Sequence, residues 1–320
     1  MDKPGAEPAK LAMQFVRGFC MGVADIVPGV SGGTIALIFG IYQRLVDNIH
    51  MGARALGQLV RLDGRQAVAR LREVEWSFLL PLLVGVGVAF LSLAHLIEEL
   101  LHDYPEEMAG LFLGLVAASI VIAWRQVEHW EPASYALLVG VAVASFVVLG
   151  FQSGAIDDPS PVQWFIAGSI AICAMILPGI SGSVLLLMMG MYAPLLAAVN
   201  DRSIPDIAIF MLGATVGLAL FSTLLSWLLA HHGNRVLAAL IGLMVGSVRV
   251  LWPWPNGVGI ISDEETEAVS GTDLGWPDTG ADFVWPAILA LAAFVAVTVI
   301  SLVGERRGPG APASPARSVH

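Results

Sequence analysis

Long apolar stretches dominate the chain, and short polar segments separate them. Stretches of about 18 or more apolar residues are long enough to cross a bilayer as a helix. We predict full spans near 77–97, 108–124, 134–151, 206–230, 236–252 and 284–303. Two further apolar segments, 11–47 and 162–199, are interrupted by polar loops. The pattern therefore predicts an all-α polytopic membrane protein with about six transmembrane helices and two broken hairpins.

The two interruptions are copies of one another. Pro-Gly-Val-Ser-Gly-Gly at 28–33 returns 150 positions later as Pro-Gly-Ile-Ser-Gly-Ser at 178–183. Eight of the eighteen positions between Pro28 and Leu45 are identical in the second copy. Lipid tolerates such a break only where the loop is buried or lines a cavity. A duplicated break points to the binding site of a transporter built from two repeats.

Composition excludes an ordinary soluble domain, since 57% of the residues are hydrophobic and only 13% are charged. The net charge of −10 gives no indication of a nucleic-acid partner, because the acidic residues are concentrated in loops. The richest acidic run contains Asp263, Glu264, Glu265, Glu267, Asp273, Asp278 and Asp282. We interpret this run as a solvated loop. No cleavable signal peptide is expected, because the first apolar stretch continues directly into the Pro28 loop.

Arginine and lysine residues orient the chain in the membrane. Basic residues flank the first hairpin on both sides: Lys3, Lys10, Arg17, Arg44, Arg54, Arg61, Arg65, Arg70 and Arg72. Both flanks are therefore predicted to be cytoplasmic, and the hairpin folds back at 28–33. The acidic loop at 102–107 then lies outside, while 231–235 and 306–307 lie inside. We expect a multi-pass protein of the cytoplasmic membrane with both termini in the cytoplasm.

Three predicted crossings separate the two loops, so the two copies should point in opposite directions, as an inverted-topology repeat. A second block supports the repeat, because Gly114, Ser119 and Trp124 match residues 128 positions later. We predict a single membrane domain over 1–320 that contains two repeats and ends in a disordered tail at 304–320. Repeat one (11–151) consists of hairpin 11–47, an arginine-rich loop at 48–75 and spans within 77–151. Repeat two (162–303) consists of hairpin 162–199 and spans within 206–303, with an acidic external loop at 253–283. Residues 52–75 should form an amphipathic helix on the cytoplasmic surface.

The chemistry of the loops favours an anion. Ser31 is a suitable N-cap for a half-helix that begins near Gly32 and runs towards Leu45. Free amides, hydroxyls and the helix dipole at such an end bind phosphate well. The predicted substrate-binding residues are Pro28, Gly29, Ser31, Gly32, Gly33, Thr34, Pro178, Gly179, Ser181, Gly182, Ser183 and Arg249. The alternative is that Pro-Gly-x-Ser-Gly is only a packing kink between helices. Two copies in inverted register argue against this alternative.

Charged residues inside predicted membrane segments are costly and therefore candidates for function. Asp25 is a candidate for coupling to a proton or cation, or else caps local backbone or pairs with Arg17. Arg249 would add positive charge for phosphate, or else extends to the outer interface. His95 is a candidate proton relay, or else a simple interfacial histidine.

Three stretches closely resemble one known family: Gly22–Thr34, Leu177–Ser183 and Gly242–Ser247. This is the family of polyprenyl-phosphate transporters of bacteria and archaea, formerly a membrane domain of unknown function. The resemblance covers roughly 12–303. It implies the return of undecaprenyl phosphate, or a similar polyprenyl phosphate, from the outer to the cytoplasmic leaflet for envelope glycan synthesis. The lipid tail comes from this resemblance, whereas the residues themselves indicate an anion site.

Two other functions remain as alternatives. A channel or exchanger for small inorganic anions also uses helix N-termini. A membrane polyprenyl-pyrophosphate phosphatase has a similar loop, but Gly32 and Gly182 occupy the place of its arginine. We therefore expect a flippase that is not an enzyme, with no catalytic residue, cofactor or metal. The expected partners are the bilayer, the lipid phosphate and a coupling proton or cation, and a homo-oligomer is one option that the sequence leaves open.

Overall fold

The computed structural model describes residues 6–27, 30–60, 64–151, 156–254, 274–277 and 279–307. These residues form helices and connecting turns, and no strand occurs among them. The helices of this described part are α1 (Ala6–Ile26), α2 (Gly32–Ile38), α3 (Tyr42–Val60), α4 (Gly64–Glu73), α5 (Trp76–Asp103), α6 (Pro105–Gln126), α7 (Pro132–Val148), α8 (Pro161–Ile176), α9 (Gly182–Met188), α10 (Tyr192–Asn200), α11 (Ile204–Ser247) and α12 (Gly280–Arg307). The prediction of an all-helical membrane protein is confirmed at this level.

Within the described residues, four helices are long and apolar enough to cross a membrane: α5, α6, α11 and the Asp282–Leu302 part of α12. A fifth is reached if α9 and α10, which are bent by 107° relative to each other, form one broken span. Helices α7 and α8 are apolar but shorter. Each predicted full span therefore coincides with a helix, although fewer of these helices reach membrane length by themselves.

Helix α11 contains the predicted span 206–230 and most of the predicted span 236–252. It has 44 residues, which is about twice the length that one crossing needs. His232 has non-helical dihedral angles (φ −135°, ψ 35°) and divides the helix at the predicted boundary. The second part ends at Ser247, earlier than predicted.

Close contacts between a glycine and a neighbouring helix occur at equivalent positions in the two halves, separated by the same 150 and 128 positions as the sequence repeats. In the first half, Gly18 of α1 lies against the backbone of Leu82 in α5. In the second half, Gly168 of α8 lies against the backbone of Phe210 in α11. Residue 168 is 150 positions after 18, and 210 is 128 positions after 82. A side chain at either glycine would collide with the partner helix, so both helix pairs depend on close backbone approach.

Each half also has a contact in the other direction, from a glycine of the second helix to the backbone of the first. Gly85 of α5 meets the carbonyl of Phe15, and Gly213 of α11 meets the carbonyl of Phe165. These residues again differ by 128 and 150 positions. The duplicated sequence thus folds into two helix pairs with the same internal packing. The opposite orientation of the two copies in a membrane stays a prediction.

The last span of each half packs against a helix of the other half. Gly110 and Gly114 of α6 lie against α12, which comes from the second half of the chain. Gly242 and Gly246 of α11 lie against α7, which comes from the first half. Gly242 is 128 positions after Gly114, so the two glycines are equivalent. Each of them contacts the third span of the opposite half, which is α12 for Gly114 and α7 for Gly242. Each half of the chain therefore packs against the last span of the other half.

Two predicted boundaries are corrected. The stretch expected as one amphipathic helix over 52–75 belongs to two helices, because α3 continues to Val60 and α4 occupies Gly64–Glu73. Residues 304–307 of the tail expected to be disordered belong to α12, which continues to Arg307, and the rest of that tail lies outside the described residues. The acidic loop predicted at 253–283 lies mostly outside the described residues.

Candidate functional site

The first loop leads from α1 into the short helix α2. Pro28 and Gly29 lie outside the described residues. Ser31 has extended backbone angles (φ −131°, ψ 140°), and its Oγ accepts a hydrogen bond of 3.1 Å from the amide of Gly33. The predicted N-cap is therefore present, as expected for a serine immediately before a helix.

Both half-helices are shorter than predicted. Helix α2 ends at Ile38 instead of running towards Leu45, because Gly40 adopts the left-handed conformation with φ 65°. The amide of Gly40 donates to the carbonyl of Leu37, and the amide of Ile41 donates to Ala36, which is a Schellman motif. Gly190 (φ 69°) ends α9 with the same pair of bonds. The duplicated glycine thus terminates each half-helix after two turns.

Asp25 closes the first loop from the side of α1. Its Oδ1 accepts a hydrogen bond of 2.5 Å from the amide of Gly32. Gly32 has no room for a side chain, since a Cβ there would lie 2.5 Å from Asp25 Oδ2. Arg17 instead donates to the side chain of Gln14 at 3.3 Å. Of the alternatives open for Asp25, the capping of local backbone is the one that the geometry shows, and coupling to a proton or cation stays a prediction.

In the second loop, Ser181 has an extended backbone like that of Ser31 but makes different side-chain contacts. Ser181 is extended (φ −95°, ψ 139°) and precedes α9, yet its side chain forms no capping bond. Its Oγ lies 2.7 Å from the Oγ of Ser183. Met175 takes the place of Asp25, because a Cβ at Gly182 would lie 2.9 Å from Met175 Cγ. The second loop therefore presents paired hydroxyls where the first is capped by a serine and an aspartate.

The structure brings the two loops into contact. Thr34 Oγ1 accepts a hydrogen bond of 3.0 Å from the amide of Gly179. Ser31 Oγ donates a hydrogen bond of 2.9 Å to the carbonyl of Met175, the last turn of α8. Gly33 approaches the same turn so closely that a Cβ would lie 2.5 Å from the carbonyl oxygen of Ile176. Residues that are far apart in the chain thus form one polar centre.

This polar centre is enclosed by apolar side chains. Ser31 and Thr34 are 1% and 0% exposed, and Ser181 is 6% exposed. Val27, Val30 and Ala36 around the first loop belong to the main apolar core. Burial satisfies the condition for non-helical backbone at membrane depth. It also means that a ligand would have to replace hydrogen bonds that Ser31 and Thr34 already make.

Arg249 lies in the turn that follows α11, against the end of α7. Its Cζ is 5.0 Å from the centre of the Phe146 ring in α7. The neighbouring residue, Val250, packs in one cluster with Leu149 and with Val184 of α9. The turn that contains Arg249 therefore packs against α9 through Val250, and Arg249 lies two residues beyond the end of α11 at Ser247. Binding of phosphate by Arg249 stays a prediction.

His95 is separate from this centre. Its side chain is 86% exposed on α5, and its Nε2 lies 3.3 Å from a carboxylate oxygen of Glu99, one turn further along. This position agrees with the interfacial alternative and gives no support to a relay through the loops. The role of His95 in coupling stays a prediction without a structural contact behind it.

Several contacts at the site could not be read from the sequence. The carbonyl of Met175 and the side chain of Gln126, which donates to the carbonyl of Leu37 at 3.1 Å, carry no motif. Phe146 and Gly150 are ordinary residues of an apolar span, yet both contact Arg249. Only the equivalence of Met175 with Asp25, at 150 positions, was available as a signal.

Comparisons with known proteins agree on one family. A family described as "Undecaprenyl phosphate translocase-like" matches residues 21–269. A protein of Vibrio cholerae serotype O1 named "Polyprenyl-phosphate transporter" is 39% identical over 240 residues, which cover 75% of this chain and 77% of that protein. A Staphylococcus aureus protein of the same name is 29% identical over 258 residues, covering 75% of this chain and 86% of that protein. No solved structure matches the chain.

Proposed function

The chain belongs to the undecaprenyl phosphate translocase-like family, and we propose that it transports a polyprenyl phosphate across the membrane. The observation that carries this proposal is the contact between the two loops through Thr34 and Gly179. It gives the duplicated polar segments a shared, buried centre in an otherwise apolar helical protein. The relatives are named as transporters rather than as enzymes, which agrees with the absence of catalysis expected from the sequence.

The phosphate is bound between the loops. Phosphate accepts several hydrogen bonds at once, and serine hydroxyls and loop amides are suitable donors. The second loop supports this role best, because the hydroxyls of Ser181 and Ser183 bond to each other instead of to the backbone. Arg249 adds a fixed positive charge close to that loop. Described residues of the two loops, among them Thr34, Gly179 and Gly182, form the walls of the site, and the polyprenyl tail of the lipid stays in the bilayer.

Transport proceeds by alternating access in an inverted repeat. In such a protein, two similar halves rock against each other around a site at their interface. The recurrence of the Gly18–Leu82 contact as Gly168–Phe210 supports two equivalent halves. The bonds from Ser31 to Met175 and from Gly179 to Thr34 lie at the interface of the loops, where rocking would break them.

Transport runs from the outer to the cytoplasmic leaflet and returns the carrier for envelope glycan synthesis. Asp25 couples this movement to a proton or cation. Its carboxylate holds the amide of Gly32, which is a donor that the phosphate would also use. Neutralising Asp25 weakens this bond and removes a like charge from the path of the phosphate.

Reconstitution tests the proposed function. The protein is placed in liposomes that carry a labelled polyprenyl phosphate, and label in each leaflet is followed with and without a proton or cation gradient. Movement of label that exceeds protein-free liposomes is expected. Displacement of the lipid by inorganic phosphate or chloride at equal concentration would favour the inorganic anion exchanger instead. Release of phosphate from a polyprenyl pyrophosphate would show an enzyme.

A further inference from the structure

We propose that Phe146 and Gly150, at the end of α7, position the guanidinium of Arg249 for the phosphate. The inference rests on the proposed function, since it concerns the same site. It adds two positioning residues from the first half of the chain to an arginine of the second half. The positioning follows from two contacts of the guanidinium, one with an aromatic ring and one with a residue that lacks a side chain.

The ring of Phe146 contacts the guanidinium of Arg249. The Cζ atom of Arg249 lies 5.0 Å from the centre of the ring, within the range of a cation–π interaction. A planar guanidinium stacks well on an aromatic ring. The ring thus restricts the orientation of a long, flexible side chain.

Gly150 provides the space that the guanidinium occupies. A Cβ at residue 150 would lie 2.5 Å from Cζ of Arg249 and 2.6 Å from its Nε and Nη2. Gly150 lies in the turn just after α7, which ends at Val148, and the amide of Gly150 donates to the carbonyl of Val147. Among the described residues, the glycines with positive φ are Gly40, Gly179 and Gly190, and Gly150 is not one of them. Glycine is therefore needed here for space and not for backbone conformation.

The location connects this contact to the phosphate site. Leu149, which precedes Gly150, packs with Val250 and with Val184 of α9. Val184 directly follows Ser183, one of the paired hydroxyls of the second loop. Moving the guanidinium therefore changes the charge beside α9 while the apolar cluster around it can remain in place. The end of α7 also favours a cation, because the last carbonyl groups of a helix carry partial negative charge.

Gly150→Ala separates positioning from folding. The atoms nearest to the added methyl belong to the far end of a flexible side chain, so the fold should persist while the guanidinium moves. Gly140 lies within α7, with nothing within 4 Å of an added Cβ, and Gly140→Ala is the control. Phe146→Leu removes the aromatic face, and Phe146→Tyr retains it.

The experiment measures binding of a short-chain polyprenyl phosphate to the full-length protein in nanodiscs. We expect Gly150→Ala and Phe146→Leu each to weaken binding by roughly threefold to thirtyfold, the range of a cation–π contact. Gly140→Ala and Phe146→Tyr should bind like the wild type. In the Arg249→Ala background, neither Gly150→Ala nor Phe146→Leu should weaken binding further, because both residues act through the arginine.

Two outcomes separate the two proposals. Wild-type binding by Arg249→Ala would overturn the role of this arginine in the proposed function, and the positioning with it. Weak binding by Arg249→Ala together with wild-type binding by Gly150→Ala and Phe146→Leu would overturn the positioning alone. So would additive losses in the double variants.

Discussion

The amide of Gly179 donates a hydrogen bond of 3.0 Å to the hydroxyl of Thr34, across 145 positions of the chain. The bond is buried, and it joins the loop after α8 to the first turn of α2. Its two partners come from different copies of the duplicated segment, although they are not equivalent positions within it. Val184 occupies the place of Thr34 in the second copy, so the pseudosymmetric bond cannot form. The contact between the loops is therefore asymmetric.

Thr34→Val tests this bond. Valine has nearly the shape of threonine but cannot accept a hydrogen bond, so the Gly179 amide would be left buried without this partner. We expect the free energy of unfolding to fall by about 1–3 kcal/mol. Thermal unfolding in detergent measures the effect, and Thr34→Ser serves as the control that retains the hydroxyl. Equal stability of the valine and serine variants would contradict a structural role for this bond.

The local features of both loops were predictable because they depend on neighbouring residues. Ser31 caps α2 as expected of a serine placed just before a helix. Gly40 and Gly190 also carried a signal, since duplicated glycines after a short apolar run are typical of helix ends. The prediction that the half-helix continues to Leu45 was wrong because it gave less weight to Gly40 than to the apolar residues that follow it.

The contacts between distant residues were not predictable in the same way. The bond from Ser31 goes to a backbone carbonyl, that of Met175, and every residue has such a group. The place of Arg249 depends on where α11 ends and on the path of α7, which a span prediction does not specify within a turn. The duplicated sequence indicated that the loops should meet, but the individual bonds follow from tertiary packing.

Ser31→Ala and Ser181→Ala should differ in their effects. Ser31 Oγ accepts from the amide of Gly33 and donates to Met175, so its removal should destabilise the protein by about 0.5–2 kcal/mol. Ser181 bonds to the Ser183 hydroxyl and does not cap α9. Ser181→Ala should therefore weaken binding of the lipid phosphate with little change in stability. Parallel unfolding and binding measurements check this, and equal destabilisation by both variants would contradict it.

Arg44 and Glu75 allow a pH prediction on the surface of the protein. Arg44 donates hydrogen bonds to the Glu75 carboxylate, which lowers the pKa of Glu75. A lowered folded-state pKa stabilises the protein above the unfolded-state pKa, and this stabilisation is lost as pH falls through the folded-state value. Both side chains are over 40% exposed, so the effect should be small. Glu75→Gln should reduce the loss of stability on acidification, and an unchanged acid limb of the unfolding curve would contradict this.

Asp25→Asn tests the proposed coupling role of Asp25, which has methionine (Met175) at the equivalent position of the second half. Asparagine keeps an oxygen that can accept from the Gly32 amide, so the geometry of the first loop should persist, but it carries no charge. We expect transport of labelled lipid to continue while its dependence on pH or on a cation gradient is lost. Asp25→Ala removes the acceptor as well and should also lower stability, since the Gly32 amide loses its partner. Measuring leaflet exchange over a pH series with both variants separates the two roles. A wild-type pH response in Asp25→Asn would leave Asp25 as a structural cap and move the search for coupling to other residues.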